Sequence, residues 1–71
     1  MYRIMVVDDE YYIRDGLCNV VDWASIGAQV VGEAASGVEA LAKVPLVQPD
    51  VVITDIRMED MDGLEFAEAV R

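Results

Sequence analysis

Met5-Val6-Val7-Asp8-Asp9-Glu10 and, further along, Asp50-Val51-Val52-Ile53-Thr54-Asp55 decide how this chain folds. Each is a short apolar run, rich in β-branched residues, that breaks off at an acid. Such runs read as buried strands, here over residues 3–8 and 51–55. A third run, AQVVGEA at 28–34, lies between them. Residues 10–23 place Ile13, Leu17, Val20 and Val21 on one helical face, with Gly16 inside at a cost of about 1 kcal/mol. Residues 24–27 read as a turn. Ser36-Gly37-Val38-Glu39 fits a capping box and opens a helix expected to turn Val38, Leu41 and Ala42 inward. Pro45 should shorten or kink that helix. Asp62-Gly63-Leu64-Glu65 resembles one more helix start, with Leu64, Ala67 and Val70 as its apolar side. Strands alternating with helices predict an α/β fold with a parallel sheet covered on both faces. Crossovers in such sheets are right-handed, and ligands bind beyond the carboxyl ends of the strands, where strand order reverses.

Length and charge narrow the function. The chain has 71 residues, of which 55% are hydrophobic, so it is at most one small domain and not a disordered tail. It carries 14 acidic against 5 basic residues, a net charge of −9. That balance opposes nucleic acid and anionic membranes, and suits a divalent cation or a basic partner. A domain of this size buries only about 60% of its unfolded surface, so its core is marginal. The single cysteine, Cys18, cannot form an intrachain disulfide, and with no histidine a Cys/His zinc site is excluded. The start of the chain lacks the apolar stretch of a signal peptide. The longest apolar run, residues 4–7, falls far short of the ~20 residues of a membrane span. These features predict a cytoplasmic location.

The chemistry is in the acids that end the strands. If the strand order is 2-1-3, the first and third strands are neighbours and their carboxyl ends lie side by side. Asp8, Asp9 and Asp55 would then converge. Three close carboxylates repel unless protonated or bridged by a cation, and a hard ion, Mg²⁺ or Mn²⁺, is the natural bridge. A carboxylate so placed can also attack phosphorus to give an acyl phosphate. A lone acid after a strand more often just caps the next helix, a role that suits Glu10. Three acids at two strand ends outweigh that reading.

The remaining polar and aromatic residues read as structural. Glu59, Asp60, Asp62 and Glu65 lack calcium-loop spacing and fit a solvated loop and cap. Met58 and Met61 fit core or partner contacts, Tyr11 and Tyr12 rim packing, and Cys18 a small core position. Trp23 is expected to pack under the first turn.

Met5-Val6-Val7-Asp8-Asp9-Glu10, Asp50 to Met58 and Met61-Asp62-Gly63-Leu64 together resemble a response-regulator receiver domain, the CheY-like family. Gly32-Glu33-Ala34 and Gly37-Val38-Glu39-Ala40-Leu41 are similar to its second strand and helix. The Asp22-Trp23 turn resembles receivers that head AraC-type transcription regulators. The resemblance covers the whole chain and implies a flavodoxin-like three-layer sandwich, with residues 1–71 forming three of the family's five βα units. It implies Asp55 as the phosphoacceptor and Asp8 and Asp9 as the acidic pair for Mg²⁺, with the backbone carbonyl of Arg57 as a further ligand. It implies a sensor histidine kinase as the donor and a transcriptional output domain beyond this chain. The family's switch Ser or Thr and its phosphate-pairing lysine lie on the fourth and fifth strands, and neither is in this chain. Glu59 stands where the family usually has proline.

The resemblance implies a phosphoacceptor that assists its own phosphorylation and does not turn over. The alternative is a chemically inactive half-receiver that assembles with itself. An aspartyl phosphatase would need an Asp-x-Asp pair, and Ile56-Arg57 follows Asp55 instead. Taken alone, the 71 residues are expected to accept phosphate from a small acyl donor poorly, for want of the lysine and hydroxyl. They are also expected to dimerise about a two-fold axis, through the apolar third-strand edge Val51-Val52-Ile53 or by helix exchange.

Overall fold

The computed structural model describes residues 1–55 together with Glu65, Glu68 and Ala69. Three strands, β1 (Tyr2–Val7), β2 (Ala28–Ala34) and β3 (Val51–Thr54), form a parallel sheet in the order β2-β1-β3. Helix α1 (Tyr11–Asn19) and a 3₁₀ turn (Trp23–Ile26) connect β1 to β2, and α2 (Gly37–Val47) connects β2 to β3. Glu65, Glu68 and Ala69 are helical and exposed; the bounds and apolar side expected for a helix from residue 62 lie outside the described residues.

The middle strand organises the core because period-2 alternation feeds both faces at once. Met5 and Val7 join Ala34 and Ala40 beneath α2, with Leu41, Val44, Val47 and Val52 packed around them. Ile4 and Val6 join Ala28 on the other face, with Leu17, Cys18, Trp23, Val30 and Ile53 around them. Two thin cores on one sheet make the three layers expected of the α/β reading. Cys18 sits at the edge of the second core and is half-buried. Burial, then the nearby Glu33, pushes its thiol above the ordinary range.

Both helices differ from the sequence reading in ways that the packing explains. The helix expected through residue 23 ends at Asn19. The Trp23 indole N–H donates to the Leu17 carbonyl at 2.6 Å, so the chain folds back under the end of α1 instead of extending it. The turn closes at Gly27, whose φ of 75° is in the left-handed region that glycine enters freely. The Tyr2 N–H then meets the Gly27 carbonyl at 2.8 Å, which fixes the register of β2 against β1. Val20 and Val21, assigned to the apolar face, are exposed, as is Ile13.

In α2 the buried positions are Gly37 and Ala40, while Val38, expected to face inward, is 57% exposed and Ala42 is exposed. Close approach of helix to sheet selects the smallest side chains, not the most apolar. A Cβ at Gly32 of β2 would lie 3.2 Å from Val47 Cγ1. The helix also runs through Pro45 to Val47 without ending at it. Proline in the last turn, on the exposed side, deletes only the donor that would reach back to Leu41. Ser36 caps as expected, its Oγ accepting from the Glu39 N–H at 3.1 Å. The Glu39 carboxylate reaches back to the Ala35 N–H at 3.3 Å, one residue before the position a capping box prescribes.

Candidate functional site

Two backbone bonds at the carboxyl end of the sheet build the site. The Asp8 N–H donates to the Ala34 carbonyl and the Asp55 N–H to the Val7 carbonyl, both at 3.1 Å. The parallel ladders thus extend one residue past β1 and β3, and deliver Asp8 and Asp55 side by side. One carboxylate oxygen from each of Asp8, Asp9 and Asp55 lies within 4.8 Å of the others. This is the convergence expected from strand order 2-1-3, at the point where the chain reverses from β2 to β3 across β1.

The three acids have different surroundings. Asp8 is 7% exposed, Asp55 half-buried and Asp9 exposed. Asp8 Oδ1 accepts from the Glu10 N–H at 2.8 Å, which satisfies an otherwise orphaned donor at the start of α1. Glu10 occupies the N-cap position, but its side chain makes no cap hydrogen bond. The cap is supplied from two residues upstream.

Arg14, unremarked in the sequence reading, backs this turn. Its Nη1 donates to the Asp8 carbonyl at 2.7 Å and its Nε to Glu33 Oε1 at 3.0 Å. Its side chain is 14% exposed, and its guanidinium lies 5.6 Å from the centre of the Tyr11 ring. A helical side chain leans toward the amino terminus of its helix, so an arginine one turn into α1 reaches back over the strand end. An arginine just inside the helix that follows an acid cluster, in a chain with so few cations, was the available signal.

The donor set fits a hard divalent cation: carboxylate oxygens only, clustered, with one donor already oriented by the backbone. Arg57, whose carbonyl was expected to complete the set, lies outside the described residues, as do Glu59, Asp60, Asp62, Met58 and Met61. Tyr11 and Tyr12 are exposed at the rim, their rings meeting edge to face at 5.8 Å. Among the described residues, no helix is long and apolar enough to cross a membrane.

Residues 4–71 match the family model described as the response regulator receiver domain. The chain is 46% identical over 70 residues to the uncharacterized transcriptional regulatory protein YesN of Bacillus subtilis (strain 168), covering 99% of this chain and 19% of that protein. Among solved structures, it superposes on the receiver domain of AraT, a response regulator from Geobacillus stearothermophilus, with a TM-score of 0.89 at 36% identity. That match covers 99% of this chain and 54% of the other. It also superposes on the chemotaxis protein CheY4 of Vibrio cholerae, with a TM-score of 0.85 at 39% identity, covering 100% of this chain and 57% of that one. The chain thus spans about a fifth of the curated relative and just over half of the solved receivers. These matches do not favour the reading as an inert self-assembling module. The sheet order, the acids at its carboxyl end and the family match over residues 4–71 agree, and the chain belongs to the response regulator receiver domain family.

Proposed function

We propose that this chain is the phosphoacceptor segment of a two-component transcriptional regulator, taking a phosphoryl group on Asp55 from a phosphohistidine of a sensor kinase. The observation that carries the reading is the convergence of Asp8, Asp9 and Asp55 within 4.8 Å at the end of two adjacent parallel strands. In the transfer, an Asp55 carboxylate oxygen forms a bond to phosphorus as the bond from phosphorus to the histidine nitrogen breaks. The departing imidazole keeps the electron pair and takes up a proton. Bound Mg²⁺ would neutralise charge on the phosphoryl oxygens. Asp8, Asp9 and Asp55 would hold it, with the carbonyl of Arg57. Asp8, fixed by the Glu10 N–H, supplies a preset donor. Asp9, exposed, can turn toward the incoming group without first breaking a buried contact.

The reading places the protein in the cytoplasm, as a phosphoprotein that is not itself a turnover enzyme. It includes self-association of this segment through β3, which stands at one edge of the described sheet. Extended through the family's fourth and fifth strands, the segment should incorporate labelled phosphate from acetyl phosphate and Mg²⁺ as a hydroxylamine-sensitive acyl phosphate. Asp55→Asn should abolish that label. Undiminished labelling of the Asp55→Asn variant overturns the assignment.

A further inference from the structure

Resting on the metal-site reading above, we infer that Arg14 is a positioning residue for the acidic site, clamping the turn after β1 against β2 so that Asp8 and Asp9 are held facing Asp55. Three observations converge on it. The Arg14 guanidinium ties the Asp8 carbonyl at 2.7 Å to the Glu33 carboxylate at 3.0 Å. It is the more enclosed partner of that ion pair, at 14% against 50% exposure. The Arg14 N–H also donates to the Glu10 carbonyl at 3.0 Å, so backbone and side chain of one residue grip both ends of the turn that carries Asp9. Asp8 is thereby held from three directions: its N–H by Ala34, its carbonyl by Arg14 and its carboxylate by the Glu10 N–H.

The geometry asks for arginine specifically. Two donors on one rigid planar fork bind a carbonyl and a carboxylate at once, each through a charge-assisted bond. Lysine offers the same charge as a point on a flexible stem and cannot hold both partners in a fixed relation. The Arg14 guanidinium reaches the Asp8 backbone and the Glu33 side chain, behind the clustered carboxylates.

Positioning and simple charge predict opposite signs. Removing a cation beside an acidic cluster strengthens divalent-cation binding if charge is all that matters. It weakens binding if the cation holds the ligands in place. Groups that orient metal ligands from behind cost about 10-fold or more in metal affinity when removed. Mn²⁺ affinity is read by water-proton relaxation on the intact chain, alongside circular dichroism and thermal melting without metal. The expected result is an affinity about tenfold weaker for Arg14→Gln. Arg14→Lys, which keeps the charge but loses the fork, should also bind more weakly than the parent. Arg3→Gln is the control: it loosens the opposite pole, where Arg3 donates to the Val47 and Gln48 carbonyls, and should lower the melting temperature without changing Mn²⁺ affinity. Parent-like or tighter binding by Arg14→Gln overturns the inference. If that variant does not fold, parent-like binding by folded Arg14→Lys overturns it equally. Failure of the underlying reading looks different: Asp9→Asn and Asp55→Asn would then bind Mn²⁺ as the parent does, or the parent would not bind it at all.

Discussion

At the residue scale, Glu39 shows how one side chain serves two structures. Its carboxylate pairs with Lys43 Nζ at 2.8 Å and accepts from the Ala35 N–H. The Lys43 contact and then the Ala35 bond hold its carboxyl below its ordinary value of 4.5. A carboxylate with a depressed folded value adds stability above its unfolded value, and that stability is lost as pH falls through the folded value. Glu39→Gln should therefore lower the melting temperature near neutrality and leave it almost unchanged well below pH 4.5. Both partners are partly exposed, so solvent screening keeps the pair's effect to about 0.5 kcal/mol. Thermal melts of parent and variant across this pH range check it. A constant gap between the two at all pH values would contradict the ionic account.

At the scale of elements, the contact between α2 and β2 depends on a missing side chain. The pairing of β1 with β2 shifts between Ile4 and Met5, so that Val31 is passed over and Gly32 falls opposite Met5. Val47 then rests over Gly32. Adding a methyl group there brings it against Val47, a stiff β-branched side chain that yields little. Gly32→Ala is expected to cost about 1 kcal/mol as an overpacked core site. Val47→Ala alone also costs, through lost packing, but the two together should cost less than their sum. Urea unfolding of the four combinations measures that coupling. Strict additivity would show that the helix relieves the crowding by moving as a body.

At the scale of the whole molecule, edges and charge oppose each other. Among the described residues β3 is an edge strand, short and apolar, and Val51 at its start is 43% exposed. Val52 and Ile53 pack against opposite cores, so a lysine at Val52 would unsettle the sheet as well as the edge. Val51→Lys is the cleaner probe. The net charge of −9 on each copy resists association, and salt screens that repulsion. Light scattering after size exclusion should show a two-fold dimer that strengthens with salt and weakens in Val51→Lys. A folded monomer of 7.8 kDa, unchanged with concentration, would remove the dimer from the reading.

The sequence by itself determined the strands, their parallel sense and the acids at their ends; their order came from the fold. Buried parallel strands are continuous β-branched runs, and a break into Asp8 or Asp55 marks where the apolar layer stops. The Ser36 cap was equally legible, because it is a contact between near neighbours in the chain. Only the tertiary structure decided where α1 stops, which face of α2 turns inward, and what stands behind the acids. Those depend on contacts between different elements, which no periodicity within one element records: Leu17 with the Trp23 indole, Gly32 with Val47, and Arg14 with both Asp8 and Glu33. Periodicity records that a face is apolar. It does not record how closely the neighbouring layer approaches, and that distance selected glycine and alanine over valine and brought a guanidinium behind the strand end.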